Sequence, residues 1–119
     1  MKLAVLYSGG KDSNYALYKA SKHHEIVCLI SLISKNSYSY MFQSPGTSLI
    51  KYQSQALKIP LLEHRTSGEK EVELKDLEDA IKKTIKNYSI EGIVTGAINS
   101  TYQASRIQNI CKKLDIWCF

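Results

Sequence analysis

Short apolar runs alternate with longer amphipathic stretches along the whole chain, and this alternation predicts the order of its elements. The apolar runs predict buried strands at Lys2–Tyr7, Glu25–Ser34, Pro60–His64, Ile90–Thr95 and Ile116–Phe119. Apolar residues at steps of three and four predict helices at Asp12–Lys22, Thr47–Lys58, Leu74–Tyr88 and Ser100–Leu114. Two polar segments, Ser37–Gly46 and Arg65–Glu73, are predicted to be loops.

Strands that alternate with helices predict a doubly wound parallel sheet of five strands, with helices on both faces. Ligands in such α/β folds bind beyond the carboxyl ends of the strands, near the point where the strand order reverses. This rule places four segments around one cleft: Ser8–Ser13, Ser34–Gly46, Arg65–Glu73 and Gly96–Asn99. His64 ends the third predicted strand on the cleft side, where it could contact a ligand, but a solvated loop histidine is the favoured interpretation.

Helix Leu74–Tyr88 has the clearest amphipathic pattern. On its polar side, the spacing of four predicts two ion pairs, Glu78–Lys82 and Asp79–Lys83.

Composition is that of an ordinary globular domain and excludes several classes of protein. The chain has 119 residues, 44% of them hydrophobic and 23% charged, which fits one domain. No apolar run approaches the roughly 18 residues that a membrane-spanning helix needs. The net charge of +5 suits an anionic ligand.

The chain has three cysteines, Cys28, Cys111 and Cys118, an odd number, and no two of them have CxxC spacing. They indicate reduced thiols in a cytoplasmic protein rather than a disulfide framework or a zinc ribbon. Cys28 and Cys111 are predicted to be core residues, and Cys118 has no identifiable base partner that would make it a nucleophile.

The loop Ser8–Ser13 (SGGKDS) joins the first predicted strand to the first helix. Gly9 and Gly10 let the backbone approach an anion closely because they carry no Cβ. The helix start behind them offers free N–H groups and the positive end of the helix dipole. Lys11 can neutralise phosphate charge, and Asp12 can hold Mg²⁺, which prefers carboxylate and phosphate oxygens. We therefore interpret the loop as a site for the phosphates of a nucleotide.

A simpler interpretation of the same loop is a tight turn whose glycines serve only its geometry. In that case Asp12 or Ser13 would cap the following helix. The turn explains the glycines and the aspartate, but it does not explain the whole six-residue string after a first strand.

These six residues match the SGGxDS loop of the N-type ATP pyrophosphatases, which cleave ATP between the α- and β-phosphates and adenylate a carbonyl oxygen. The chain resembles the diphthine–ammonia ligase family over essentially all 119 residues. The resemblance lies in Met1–Leu17, Tyr40–Gln43, Ser67–Glu71 and Thr95–Arg106. Thr95–Arg106 is the most family-specific of these, and the chain departs from the family at Gln43, where His is usual.

The resemblance implies an adenine nucleotide alpha hydrolase-like, Rossmann-like fold and an amide ligation. ATP, with Mg²⁺, would adenylate the carboxylate of diphthine, a modified histidine on the translocation elongation factor. Ammonia would then displace AMP and leave diphthamide. ATP, ammonia and the diphthine-modified elongation factor are thus the implied partners. Neither a membrane nor a nucleic-acid partner is expected, and a homo-oligomer is left open.

The same resemblance implies roles for individual residues. The implied ATP-binding residues are Ser8, Gly9, Gly10, Lys11, Asp12, Ser13 and Gly96, and Asp12 would hold Mg²⁺. The implied catalytic residues are Lys11, Asp12 and Arg106. The implied substrate-binding residues are Ser100, Tyr102, Gln103 and Arg106. For this last group the residue types leave structural alternatives open: a capping box for Ser100 and Gln103, packing for Tyr102, and a surface arginine for Arg106.

Two other functions stay open at the level of sequence. One is a tRNA-modifying ATP pyrophosphatase, which the charge of +5 permits, although the absence of CxxC pairs argues against the thiolating types. The other is a non-catalytic module that only binds adenine nucleotides. It is suggested by a chain that stops at Phe119 inside an apolar strand, whereas the family continues further. We expect residues 1–119 to form the nucleotide-binding domain without the C-terminal, substrate-side part.

Overall fold

The computed structural model describes residues 1–7, 11–34, 47–66, 70–96 and 101–119, and strands and helices alternate throughout them. The strands are β1 (Lys2–Leu6), β2 (Glu25–Ser34), β3 (Leu61–Thr66), β4 (Gly92–Val94) and β5 (Trp117–Cys118). The helices are α1 (Lys11–Ser21), α2 (Thr47–Leu57), α3 (Lys70–Tyr88) and α4 (Thr101–Lys113). The strands form one sheet of order β3-β2-β1-β4-β5.

All neighbouring strands in this sheet are parallel. The chain runs outward from the central strand β1 through β2 to the edge strand β3. It then returns to β4, on the other side of β1, and ends at β5. The strand order therefore reverses between β1 and β4, and their carboxyl ends mark the switch point of the fold.

Helices cover both faces of the sheet, as predicted. Successive side chains of β1 point to opposite faces, so the strand contributes to two buried clusters. One cluster joins β1 and β2 to α1 and α2 and includes Leu3, Val5, Leu17, Leu29 and Ile50. The other joins the sheet to α3 and α4 and includes Ala4, Leu6, Leu77, Ile81, Ile107 and Ile110. The predicted core thiols, Cys28 and Cys111, are both buried in this second cluster.

The prediction of a charged loop at Arg65–Glu73 is wrong at both ends, while residues 67–69 lie outside the described residues. Arg65 and Thr66 belong to β3, where Thr66 is the register partner of Ser34 in β2, and α3 already begins at Lys70. Ladder hydrogen bonds involve only the backbone, so a charged side chain does not stop an edge strand. Lys and Glu also have high helix propensity, which favours the early start of α3.

The prediction for His64 is wrong as well. His64 lies within β3, opposite Leu32 of β2, and its side chain is half-buried rather than solvated in a loop.

The surface of α3 carries one of the two predicted ion pairs. Glu78 and Lys82 are 3.3 Å apart, and Glu78 also pairs with Lys113 of α4 at 3.2 Å. The hydrogen bond from Lys113 is the main reason why the pKa of Glu78 is lowered. Asp79, predicted to pair with Lys83, lies close to His64 instead. None of the described helices combines the length and the apolar character that crossing a bilayer would require.

Candidate functional site

The loop singled out in the sequence lies between the end of β1 and the start of α1. Ser8, Gly9 and Gly10 are outside the described residues, but both flanks of the loop are fixed. On one side, the backbone N–H of Tyr7 donates to the carbonyl of Ile30, 2.8 Å away, which extends the pairing of β1 with β2. The loop therefore leaves the sheet at the carboxyl end of its central strand, on the edge where such folds bind ligands.

A hydrogen bond ties the two flanks of the loop to each other. The hydroxyl of Tyr7 donates to Oδ1 of Asn14 in α1 over 2.5 Å. Tyr7 is only 2% exposed, and this burial raises the pKa of its hydroxyl. The hydroxyl of Tyr7 therefore stays protonated and donates the hydrogen bond to Asn14. This bond holds the start of α1 over the end of β1.

The first turn of α1 presents two charged residues to solvent. Lys11 and Asp12 are exposed, whereas Ser13 is buried. Because the helix begins at Lys11, both Asp12 and Ser13 lie inside it, and the interpretation of either one as the N-cap is wrong. The N–H groups of a first helical turn have no partners within the helix. They and the two side chains can therefore act on a ligand.

Gly96, at the end of β4, lies directly against this first turn. A Cβ added to Gly96 would be 3.2 Å from the backbone nitrogen of Ser13 and 3.3 Å from the carbonyl carbon of Asp12. The preceding residue, Thr95, donates from its N–H and its hydroxyl to the carbonyl of Phe119, at 3.0 and 3.2 Å. The end of β4 is thus held between β5 and α1, and the switch point brings together Asp12, Ser13 and Gly96.

The segment after β4 leads into α4, which begins at Thr101, immediately after Ser100. Ser100 is outside the described residues, and Tyr102 and Gln103 are described only as part of the helical backbone. The capping box and the substrate-binding roles of these residues therefore stay predictions.

Arg106 is exposed on α4, next to the buried Ile107. α4 packs on the face of the sheet opposite to α1, so Arg106 and Lys11 belong to different layers of the molecule. The catalytic role of Arg106 also stays a prediction. Among the other segments expected at the cleft, residues 35–46, 67–69 and 97–99 lie outside the described part of the chain.

Sequence reasoning missed two side-chain contacts. The first is the hydrogen bond between Tyr7 and Asn14, for which a polar ring at the end of an apolar strand was an available signal. The second joins Cys111 of α4 to Cys118 of β5. A hydrogen bond from the Cys111 thiol lowers the pKa of Cys118 to about 7, and the same pairing raises that of Cys111. The two thiols are seven positions apart in the sequence, and no spacing rule indicates that they meet.

Comparison with protein families gives a match over almost the whole chain. The family model described as the diphthamide synthase N-terminal domain matches residues 1–117. Among curated proteins, the chain is 34% identical to the diphthine–ammonia ligase of Schizosaccharomyces pombe, over 98% of this chain and 22% of that protein. It is 33% identical to the human diphthine–ammonia ligase, over 98% of this chain and 51% of that protein. The chain thus spans about half the length of these relatives, or less.

Two solved structures share the fold. One, from Methanocaldococcus jannaschii, is described as a predicted subunit of a tRNA methyltransferase. It aligns with a TM-score of 0.54 at 18% identity and covers 100% of this chain and 66% of its own. The other, from the universal stress protein family of Burkholderia pseudomallei, aligns with a TM-score of 0.50 at 12% identity, over 99% of this chain and 92% of its own. At these identities the likeness shows only the fold, which is Rossmann-like.

Proposed function

Because this chain belongs to the diphthamide synthase N-terminal domain family, we propose that it binds Mg-ATP as the nucleotide-binding part of an ATP-dependent amide ligase. The acceptor is the carboxylate of diphthine on the translocation elongation factor, and the products are diphthamide, AMP and pyrophosphate. The curated relatives carry the name diphthine–ammonia ligase, which supports this choice of reaction.

The chemistry needs activation because a carboxylate is a poor acyl donor. The carboxylate oxygen attacks the α-phosphorus of ATP, and the bond to the bridging oxygen of pyrophosphate breaks. Ammonia then attacks the carbonyl carbon of the acyl adenylate and AMP leaves, after which the new nitrogen loses a proton. Catalysis of such a transfer consists mainly of positioning and of stabilising phosphate charge.

The residues at the switch point have properties that suit this task. Lys11 offers an exposed ammonium, and the first turn of α1 offers N–H groups that lack partners within the helix, at the positive end of the helix dipole. Asp12 is the acidic residue of that turn and is the residue that would hold Mg²⁺, which supplies charge neutralisation between phosphate oxygens. Loop Ser8–Gly10 completes the phosphate site.

One observation carries the proposal: the close approach of Gly96 to the first turn of α1. With 3.2 Å between a hypothetical Cβ of Gly96 and the nitrogen of Ser13, the end of β4 and the first turn of α1 form one continuous backbone surface. The segment Thr95–Arg106 carries the family resemblance, and its first residues, at Gly96, lie at this surface. The nucleotide and the acceptor would therefore meet between β1 and β4.

Calorimetric titration with Mg-ATP tests the phosphate site. We expect Lys11→Ala to weaken binding by about tenfold or more, because a charge-assisted hydrogen bond contributes about 1.5–3 kcal/mol. Lys22→Ala is the matched control, since Lys22 is also an exposed lysine and lies just beyond the other end of α1. This variant should bind ATP as the wild type does. Equal affinities for all three chains would contradict the assignment.

A product assay tests the reaction itself. The chain is incubated with Mg-ATP, ammonium and elongation factor that carries diphthine. AMP and pyrophosphate in equal amounts, formed only when the elongation factor is present, are the expected result. ATP binding without AMP formation would contradict the ligase and favour a module that only binds adenine nucleotides.

A further inference from the structure

Three side chains with metal-binding atoms converge between β3 and α3, away from the switch point. His64 belongs to β3, and Asp76 and Asp79 belong to α3. One ligand atom from each residue lies within 4.8 Å of the others, and all three side chains are half-buried. The two aspartates are three positions apart, so they lie on the same face of the helix. His64 reaches that face because side chains alternate along β3.

The alternation along β3 is supported by its neighbours. Glu63 pairs with Lys51 of α2, 3.6 Å away, so it points to the α1–α2 face. Leu62 packs against the cluster formed with α3 and α4, and His64, two positions later, shares its side. The convergence with Asp76 and Asp79 is therefore built into the register of the strand and the phase of the helix.

The local charge at this cluster is unbalanced. Two carboxylates and an imidazole share a half-buried place, where the attraction between a cation and a carboxylate is stronger than in bulk water. The acid between them in sequence, Glu78, is paired with both Lys82 and Lys113. Among the described residues, in contrast, no hydrogen bond or ion pair is recorded for His64, Asp76 or Asp79.

We propose that His64, Asp76 and Asp79 form a site for one divalent transition-metal ion such as Zn²⁺, which joins the edge strand β3 to helix α3. Zinc takes imidazole nitrogen and carboxylate oxygen at about 2.0–2.2 Å, so ligand atoms around one ion are about 3–4 Å apart. Atoms within 4.8 Å reach this spacing with small side-chain rotations. Mg²⁺ prefers all-oxygen ligands, so the imidazole favours a transition metal over Mg²⁺.

The site is separate from the proposed nucleotide site, which involves β1, β4 and the start of α1. β3 is an edge strand, with β2 between it and β1. The metal would therefore act on the attachment of an edge strand, and its binding does not depend on ATP. This separation lets one experiment distinguish failure of the metal site from failure of the nucleotide site.

Titration of the chain with ZnCl₂ in a calorimeter, in the absence of nucleotide, tests the proposal. All variants carry Cys118→Ser, because the Cys111–Cys118 thiol pair could itself bind zinc. We expect one equivalent of Zn²⁺ to bind. His64→Ala and Asp79→Asn should each weaken binding at least about tenfold, since even the loss of an outer-shell partner costs 10–100-fold.

Two controls separate ligand loss from general damage. Glu63→Gln removes a carboxylate next to His64 on the opposite face of β3, and Lys11→Ala alters the nucleotide site; both should leave zinc affinity unchanged. Asp79→Asn preserves shape, so it keeps the test valid if His64→Ala does not fold. Absence of zinc binding, or equal affinity in the Asp79→Asn variant, would overturn the proposal.

Discussion

Backbone atoms of α1 close off the space beside the α-carbon of Gly96. Neither Gly96 nor Gly92 has a left-handed φ, so each is constrained by its surroundings and not by its backbone conformation. The surroundings differ. Beside Gly96 is the first turn of α1, whereas a Cβ on Gly92 would be 2.9 Å from Cδ2 of Leu3 and 3.1 Å from the carbonyl oxygen of Trp117. One position is at the proposed site and the other is inside the sheet.

Replacing each glycine by alanine should therefore have different effects. Gly96→Ala pushes the end of β4 away from the first turn of α1, so we expect Mg-ATP affinity to fall several-fold, with a loss of stability below about 1 kcal/mol. Gly92→Ala overpacks the sheet and should cost about 1–3 kcal/mol without changing the affinity of the folded molecules. Urea unfolding and calorimetry measure the two quantities. If Gly96→Ala lowered the stability without changing the affinity for Mg-ATP, Gly96 would be a packing residue only.

The Cys111–Cys118 pair makes one thiol more acidic than the other two. The hydrogen bond from Cys111 lowers the pKa of Cys118 to about 7, whereas burial raises the pKa of Cys28 to about 11. The thiolate is the reactive form. We expect iodoacetamide to modify Cys118 first, with a rate that increases with pH and reaches half its maximum near pH 7.

Cys111→Ala removes the donor and should shift the midpoint for Cys118 towards its ordinary value of 9.0. Cys111→Ser keeps a hydroxyl donor and should retain part of the effect, so it serves as the matched control. A midpoint that is the same in all three chains, measured by mass spectrometry of quenched samples, would show that Cys111 does not stabilise the thiolate.

Two helices end in a Schellman motif without glycine. After α2, the N–H of Ile59 donates to the carbonyl of Ser54 and that of Lys58 to the carbonyl of Gln55, both over 3.2 Å. Lys58, between them, has a φ of 58°. Asp115 takes the same place after α4, with a φ of 59°. A side chain in this left-handed region is strained relative to glycine. The strain is clearest for lysine, because its side chain is not short and polar like that of aspartate, which can form local hydrogen bonds.

Lys58→Gly should therefore stabilise the chain, by roughly 0.5–1 kcal/mol. The control is Gln55→Gly, an exposed position inside the same helix, where glycine should destabilise by about 1 kcal/mol. Chemical denaturation gives both values. Destabilisation by Lys58→Gly would indicate that the lysine side chain makes a contribution larger than the strain.

Elements could be predicted from the sequence where the hydrophobic pattern was strong. All nine elements exist, and the helix bounds agree within one residue for α1, α2 and α4. The prediction failed at Arg65–Glu73 because charge was taken as a sign of a loop. Edge strand β3 and the first turn of α3 both tolerate charged side chains, one because its ladder is made by backbone groups and the other because Lys and Glu favour helix.

At the level of the whole molecule, the fold class could be predicted but the strand order could not. Each buried parallel strand is a similar apolar run, so nothing within Leu3–Leu6 or Ile90–Val94 specifies which neighbour it pairs with. Sequence resemblance placed Gly96 and Asp12 at one site although they are far apart in the chain. Only the order β2-β1-β4 brings them into contact. The side-chain contacts of Cys118 and His64 depend on this packing and have no local signal, whereas the polar ring of Tyr7 at the end of an apolar strand was a signal that sequence reasoning did not use.

The central claim is that the phosphates of ATP bind where β1 and β4 diverge. The most direct measurement is the change in backbone amide ¹H–¹⁵N shifts when a Mg²⁺ complex of an ATP analogue with a methylene bridge between the α- and β-phosphates is added, since that analogue cannot be cleaved there. The account predicts the largest changes at residues 8–13 and at Thr95–Gly96, with little change along β3. Saturable changes confined to other surfaces, with residues 8–13 unaffected, would contradict it.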